Sequence, residues 1–144
     1  MSRIPTALYA VAARRPFTPG KTLSEARCVR TLGGRLIRVT AIYLNAHGAH
    51  FDHDYYRRVH LPLTEALMKP LGLLWVEGDQ PLPRSDGEPS TLIAQTHAYF
   101  QTAEAARAAV RATIRELAAD VPNYSSVRPS LEFHEIFKSE RLVP

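Results

Sequence analysis

The amino-acid sequence predicts an α+β domain of order β-α-β-β-α-β, the split βαβ arrangement of ferredoxin-like folds, behind an N-terminal extension. Three observations carry this. The chain has 144 residues, 45% hydrophobic and 22% charged, which suits one globular domain rather than a disordered or fibrous chain. Four runs rich in β-branched and aromatic residues interleave with two stretches of helical periodicity in the order that fold requires. The charge also divides along the chain: residues 1–35 hold seven Lys and Arg against Glu25, a net +6, while residues 36–144 are a net −2.

That division decides how the overall charge of +4 is read. The basicity belongs to an arm at 1–35, broken by Pro5, Pro16, Pro19 and Gly20, and the domain at 36–144 is mildly acidic. No nucleic-acid partner is therefore expected for the domain. The arm reads as a structural extension or over-long start, as a mitochondrial-type leader, or as an anion-binding tail. No apolar run approaches the roughly 18–20 residues of a membrane span, so no membrane partner is expected. The lone Cys28 excludes an internal disulfide and a cysteine zinc site, and fits a reducing, cytoplasmic setting.

Residues 36–44 (LIRVTAIYL) form the first predicted strand. Asp52 is placed to cap the first helix, with Phe51 and Tyr56 at the two positions of a hydrophobic staple. That helix runs to about Lys69, with Tyr56, Val59, Leu63, Ala66 and Leu67 as its apolar stripe. Pro62 lies inside it and predicts a kink or break near His60–Leu61. Residues 71–79 and 91–100 are the second and third strands, separated by a proline-rich loop. Thr102 caps a second helix whose predicted stripe is Ala103, Ala106, Val110, Ile114 and Leu117, closed by DVPNY at 120–124. Residues 127–137 are the last strand, with Leu131, Phe133 and Phe137 on one face. Two helices cover one face of such a sheet. The other also carries apolar residues, so a homodimer that buries it against its own copy is expected.

The stretch FDHDYYRRVHLPL at 51–63 resembles the signature of the EthD family, an aromatic–Asp–x–x–Tyr–Tyr helix ending in His-x-Pro-Leu. Three further segments agree in order: THAYF at 96–100, TAEA at 102–105 and DVPNYSSVRPSL at 120–131. The resemblance covers about residues 36–138. It implies a dimeric α+β barrel with a small apolar cavity between sheet and helices. The wider superfamily includes cofactor-free cyclases, decarboxylases and dehydratases, besides quinone-forming monooxygenases.

His60 stands one turn after Tyr56, so an imidazole and a phenol project from neighbouring parts of one helical face. A His near its ordinary pKa serves as acid or base at neutral pH. His97 shares a strand face with Ile93, Gln95 and Tyr99. It enters the cavity with His60 if that face meets the helices, and an interface if it does not. Tyr55 is a second candidate for binding a phenol or carbonyl oxygen. Trp75, Tyr99, Tyr124 and Phe133 are candidate walls of an aromatic-binding pocket, Trp75 equally a candidate for dimer core. His47, His50 and His53 recur beside Asp52 and Asp54, yet loop and helix divide them and Asp52 is used as a cap, so no metal is expected.

No phosphate-binding glycine loop, HExxH, GxSxG or CxxC motif occurs. The expectation is a cofactor-independent enzyme that uses His60, Tyr56 and His97 on a small hydrophobic, aromatic or polyketide-like substrate. Its reaction would be a cyclisation, decarboxylation or dehydration. A non-catalytic module holding a hydrophobic ligand, and an oxygen- or haem-linked activity, are the alternatives.

Overall fold

The computed structural model describes residues 35–137. The basic arm before Arg35, Cys28 within it, and residues 138–144 lie outside the described residues. The order is β1 (Leu36–Leu44), α1 (His53–Tyr55), α2 (Leu61–Met68), β2 (Leu73–Asp79), β3 (Leu92–Phe100), α3 (Ala103–Asp120) and β4 (Ser130–Ile136). The four strands are antiparallel in the order β2-β3-β1-β4, as the split βαβ reading requires. Both helical segments pack on one face. Ile37, Val39, Leu73, Ala98 and Phe100 of the sheet meet Met68, Ala106, Ala109 and Leu117 of the helices there.

The entry into α1 follows the sequence closely. The Asp52 carboxylate accepts the backbone N–H groups of Asp54 and Tyr55 at 3.0 Å each. Loss of such a cap costs about 1 kcal/mol. Phe51 lies against Tyr56 with ring centroids 5.0 Å apart, completing the staple. At Pro62 the helix widens instead of breaking. A π-turn, Tyr56–His60, joins α1 to α2, and the Leu61 N–H bonds to the Tyr56 carbonyl five residues back. Pro62, with no N–H to donate, falls in the first turn of α2, where the missing donor is tolerated. After a 3-10 turn at Lys69–Leu71, Gly72 adopts φ +99°, a left-handed conformation that suits glycine, and turns the chain into β2.

The inward faces of both helices differ in part from the predicted stripes. The first helix buries Tyr56, His60, Thr64 and Met68, while Val59 is exposed. α3 buries Ala106, Ala109, Thr113 and Leu117, leaving Ile114 39% exposed. Most of the predicted stripe does face inward, with Leu63, Leu67, Ala103 and Val110 packed on the core and Ile114 at the cavity wall. Hydrophobicity alone misses the buried His60, Thr64 and Thr113, which face a partly polar cavity. Small side chains on α3 let it approach the sheet closely.

Candidate active site

The cavity lies between the helices and the central strands and has a volume of about 430 Å³. Val39, Ala41 and Ala98 of the sheet and Met68 and Leu117 of the helices supply apolar wall, with Tyr43, His60, Thr64, Thr96 and Thr113 as polar wall. Thr64 donates to the His60 carbonyl at 2.9 Å and Thr113 to the Ala109 carbonyl at 2.8 Å. Both hydroxyl protons are thus committed within their own helices.

His60 is the buried group in this wall whose ordinary pKa lies near neutrality, its side chain only 7% exposed. Its Nδ1 lies 2.8 Å from Asp120 Oδ2. A carboxylate can only accept, so the imidazole proton sits on Nδ1 and the neutral ring keeps the lone pair on Nε2. Asp120 is itself held by two donors to Oδ1, the Tyr55 hydroxyl at 2.7 Å and Asn123 Nδ2 at 2.9 Å. Burial pushes the His60 pKa below the ordinary value, and the bond to Asp120 opposes this only in part. For Asp120, burial acts to raise the pKa, yet the hydrogen bonds from Asn123, His60 and Tyr55 together hold it below the usual carboxylate range. The resting pair at neutral pH is therefore a neutral imidazole backed by a carboxylate, which is a general base with a fixed tautomer.

Aromatic rings fix the imidazole plane. Tyr56 stacks on His60 with centroids 5.5 Å apart and planes 13° apart, and Tyr124 lies 4.6 Å away. The Tyr43 and Tyr124 hydroxyls bond to each other, as do those of Tyr56 and Thr96. Burial pushes the Tyr43 phenol up to about 12 and raises Tyr56 and Tyr124 as well, so all three stay neutral. Main-chain bonds tie the two halves of the site together. The Asp52 N–H reaches the Tyr124 carbonyl at 2.7 Å and the Ser126 N–H reaches the His50 carbonyl at 3.0 Å.

The remaining sequence candidates separate into two groups. Tyr55, Tyr56 and Tyr124 gather behind His60, and Tyr56 meets the cavity through Thr96. His97, Trp75 and Tyr99 lie on the opposite face of the sheet. Of the two placements open to His97 and to Trp75 the structure takes the one away from the cavity, and the candidate catalytic role of His97 and pocket-wall role of Tyr99 are corrected. Register sets this: Thr40 pairs with His97 and Val39 with Ala98, and it is Val39 and Ala98 that meet the helices. On its own face His97 bonds Thr40 Oγ1 at 3.1 Å and Asp79 Oδ2 at 2.8 Å. Tyr99 donates to Glu77 at 3.0 Å and stacks on Trp75 with centroids 4.3 Å apart. Phe133, on the edge strand β4, is 42% exposed and stands outside the cavity wall. Among the described residues no group of three or more His, Cys, Asp or Glu could hold a metal ion. His53 instead packs on Phe51.

Sequence reasoning missed Asp120 and Tyr43. Asp120 did leave a signal. An acid in the last helical position opposes the helix dipole, a cost of about 0.3–1 kcal/mol that calls for a compensating partner. Tyr43, on an otherwise ordinary strand, left none.

No protein-family model and no curated protein matches the chain. Among solved structures, an EthD-like protein from Ralstonia eutropha JMP134 is 28% identical with a TM-score of 0.66, the match covering 75% of this chain and 99% of that one. An ethyl tert-butyl ether D (EthD) family protein from Bacillus halodurans C-125 is 20% identical with a TM-score of 0.54, covering 69% and 97% respectively. The chain thus shares the ferredoxin-like α+β fold of EthD-type proteins. Among the described residues no helix is long and apolar enough to cross a membrane.

Proposed function

We propose that this protein is a cofactor-independent acid/base catalyst acting on a small hydrophobic, aromatic or polyketide-like molecule bound in the cavity. The observation that carries the reading is the His60–Asp120 bond at the wall of a largely apolar cavity. His60 Nε2 takes a proton from a carbon next to a substrate carbonyl and passes it to the alkoxide formed in a cyclisation or to the hydroxyl that leaves as water in a dehydration. In a decarboxylation it instead takes the carboxylic acid proton and delivers it to the carbon that CO2 leaves. The enolate oxygen formed in between is met by the Thr96 hydroxyl, which Tyr56 positions. His97 has no part in this chemistry. The catalytic unit is residues 36–144, with 1–35 as an appended basic arm, and it works as a cytoplasmic homodimer through the sheet face that carries Trp75, His97 and Tyr99. Light scattering should then give twice the 16.1 kDa of one chain.

The direct test is deuterium incorporation into aryl methyl ketones in D2O. Wild type should exchange the methyl protons at least ~100-fold faster than His60→Ala, the lower end of a general base's contribution. Equal binding of the ketones by both proteins without exchange in either would instead favour a non-catalytic ligand-binding module.

A further inference from the structure

The charge around the cavity is one-sided. Arg115 of α3 and Arg128, on the segment leading into β4, both contribute to its wall and both are exposed. Neither has a salt bridge or hydrogen bond among the described residues. The exposed Arg35, Arg57, Lys69 and Arg84 are each paired with a carboxylate, and Arg58, Arg107 and Arg111, which have no such pair among the described residues, stand away from the cavity wall. Among the described residues no Asp or Glu lines the cavity. The rest of its surface is mostly apolar, so a ligand filling it meets cations only at this rim.

We propose that the natural ligand is a carboxylate, its apolar body in the cavity and its anionic end held by Arg115 and Arg128 at the rim. The inference rests on the reading of the cavity as a substrate site and deepens it by naming the substrate class. A guanidinium offers a planar pair of donors that matches a carboxylate, and two of them at one cavity wall favour an anion over a neutral polar group. Placement on α3 supports this. Arg115 precedes Asp120 by five residues, about 7.5 Å along the helix axis. In this placement the anionic end lies at the rim, and the neutral body is left for His60 in the cavity wall.

The test uses two probes of equal shape, 2-naphthoate and 2-naphthamide, titrated calorimetrically into the full chain at low and high salt. Wild type should bind the carboxylate at least tenfold more tightly than the amide, with the preference shrinking as salt rises. The Arg115→Gln/Arg128→Gln double variant should bring the two within about twofold, chiefly through weaker carboxylate binding; circular dichroism checks its fold. Equal affinities in wild type, or a preference that survives in the double variant, overturn the carboxylate assignment and leave the cavity reading standing. Failure of both probes to bind overturns the cavity reading and this inference with it.

Discussion

His60 and Asp120, sixty residues apart in the chain, are joined Nδ1 to Oδ2 at 2.8 Å, with Tyr55 and Asn123 holding the second carboxylate oxygen. The bond joins the π-turn of the first helix to the last residue of α3, so both helices must be in place before the imidazole has its tautomer. Asp120→Ala should leave the His60 Nδ1–H buried without an acceptor. The expected loss is about 1–3 kcal/mol of stability, the cost of an unsatisfied buried polar group, measured by urea unfolding. NMR titration of the His60 ring should show its pKa moving further down, because burial acts alone once the carboxylate is gone.

The same pair sets a pH dependence. The folded pKa of His60 is lowered, so between the ordinary value near 6.5 and the folded value the unfolded chain binds a proton that the folded chain does not. Stability should be full above about 6.5 and fall as pH drops through that window. Asp120, also lowered, adds a second loss below the ordinary 3.8. His60→Gln should flatten the first step and shrink the second, since the His60 hydrogen bond is one of those that lower Asp120. Thermal unfolding from pH 8 to pH 3 would show it, and a first step of unchanged size in the variant would assign it to another group.

How much of this was legible in the sequence follows from which forces act locally. The Asp52 cap, the Phe51–Tyr56 staple, the Thr102 cap and the strand order depend on short-range spacing, and all appear where the sequence puts them. The face of each strand does not. Alternation shows that His97 and Tyr99 share a side, and only the register with β1 decides which side that is. The helical stripes misled for a different reason. A partly polar cavity admits polar side chains to the inward face, so His60, Thr64 and Thr113 are buried beside the predicted apolar residues, while Val59 is exposed and Ile114 lies at the cavity wall. Asp120 was out of reach of any local pattern beyond its awkward place at a helix end.

The Tyr55 hydroxyl bonds to Asp120 and Tyr55 does not line the cavity, so the role proposed for it is to position Asp120. Tyr55→Phe removes one donor to the carboxylate while Asn123 remains. The Asp120 pKa should rise toward the ordinary value, followed by carbon-detected NMR of the carboxyl group. Proton-transfer rates should fall by much less than in His60→Ala, and the acid limb of the rate profile should shift. An unchanged Asp120 titration would reduce the Tyr55 hydroxyl to a packing role.

The cavity itself can be tested by filling it. Ala41 stands on β1 at the cavity wall, partly buried and facing the empty volume. Ala41→Leu adds three carbons where space already exists. The usual strain of overpacking is then absent, and the added burial should hold or raise stability by up to about 1–2 kcal/mol. Ligand capacity should move the other way, with naphthyl probes losing affinity at least tenfold as their volume is taken. A core residue behaves differently: enlarging a side chain in a filled interior costs about 1–3 kcal/mol. Thermal melting and calorimetric titration of the same protein therefore separate the cases. A more stable protein that no longer binds marks a cavity held open for a ligand, whereas a destabilised one marks ordinary core.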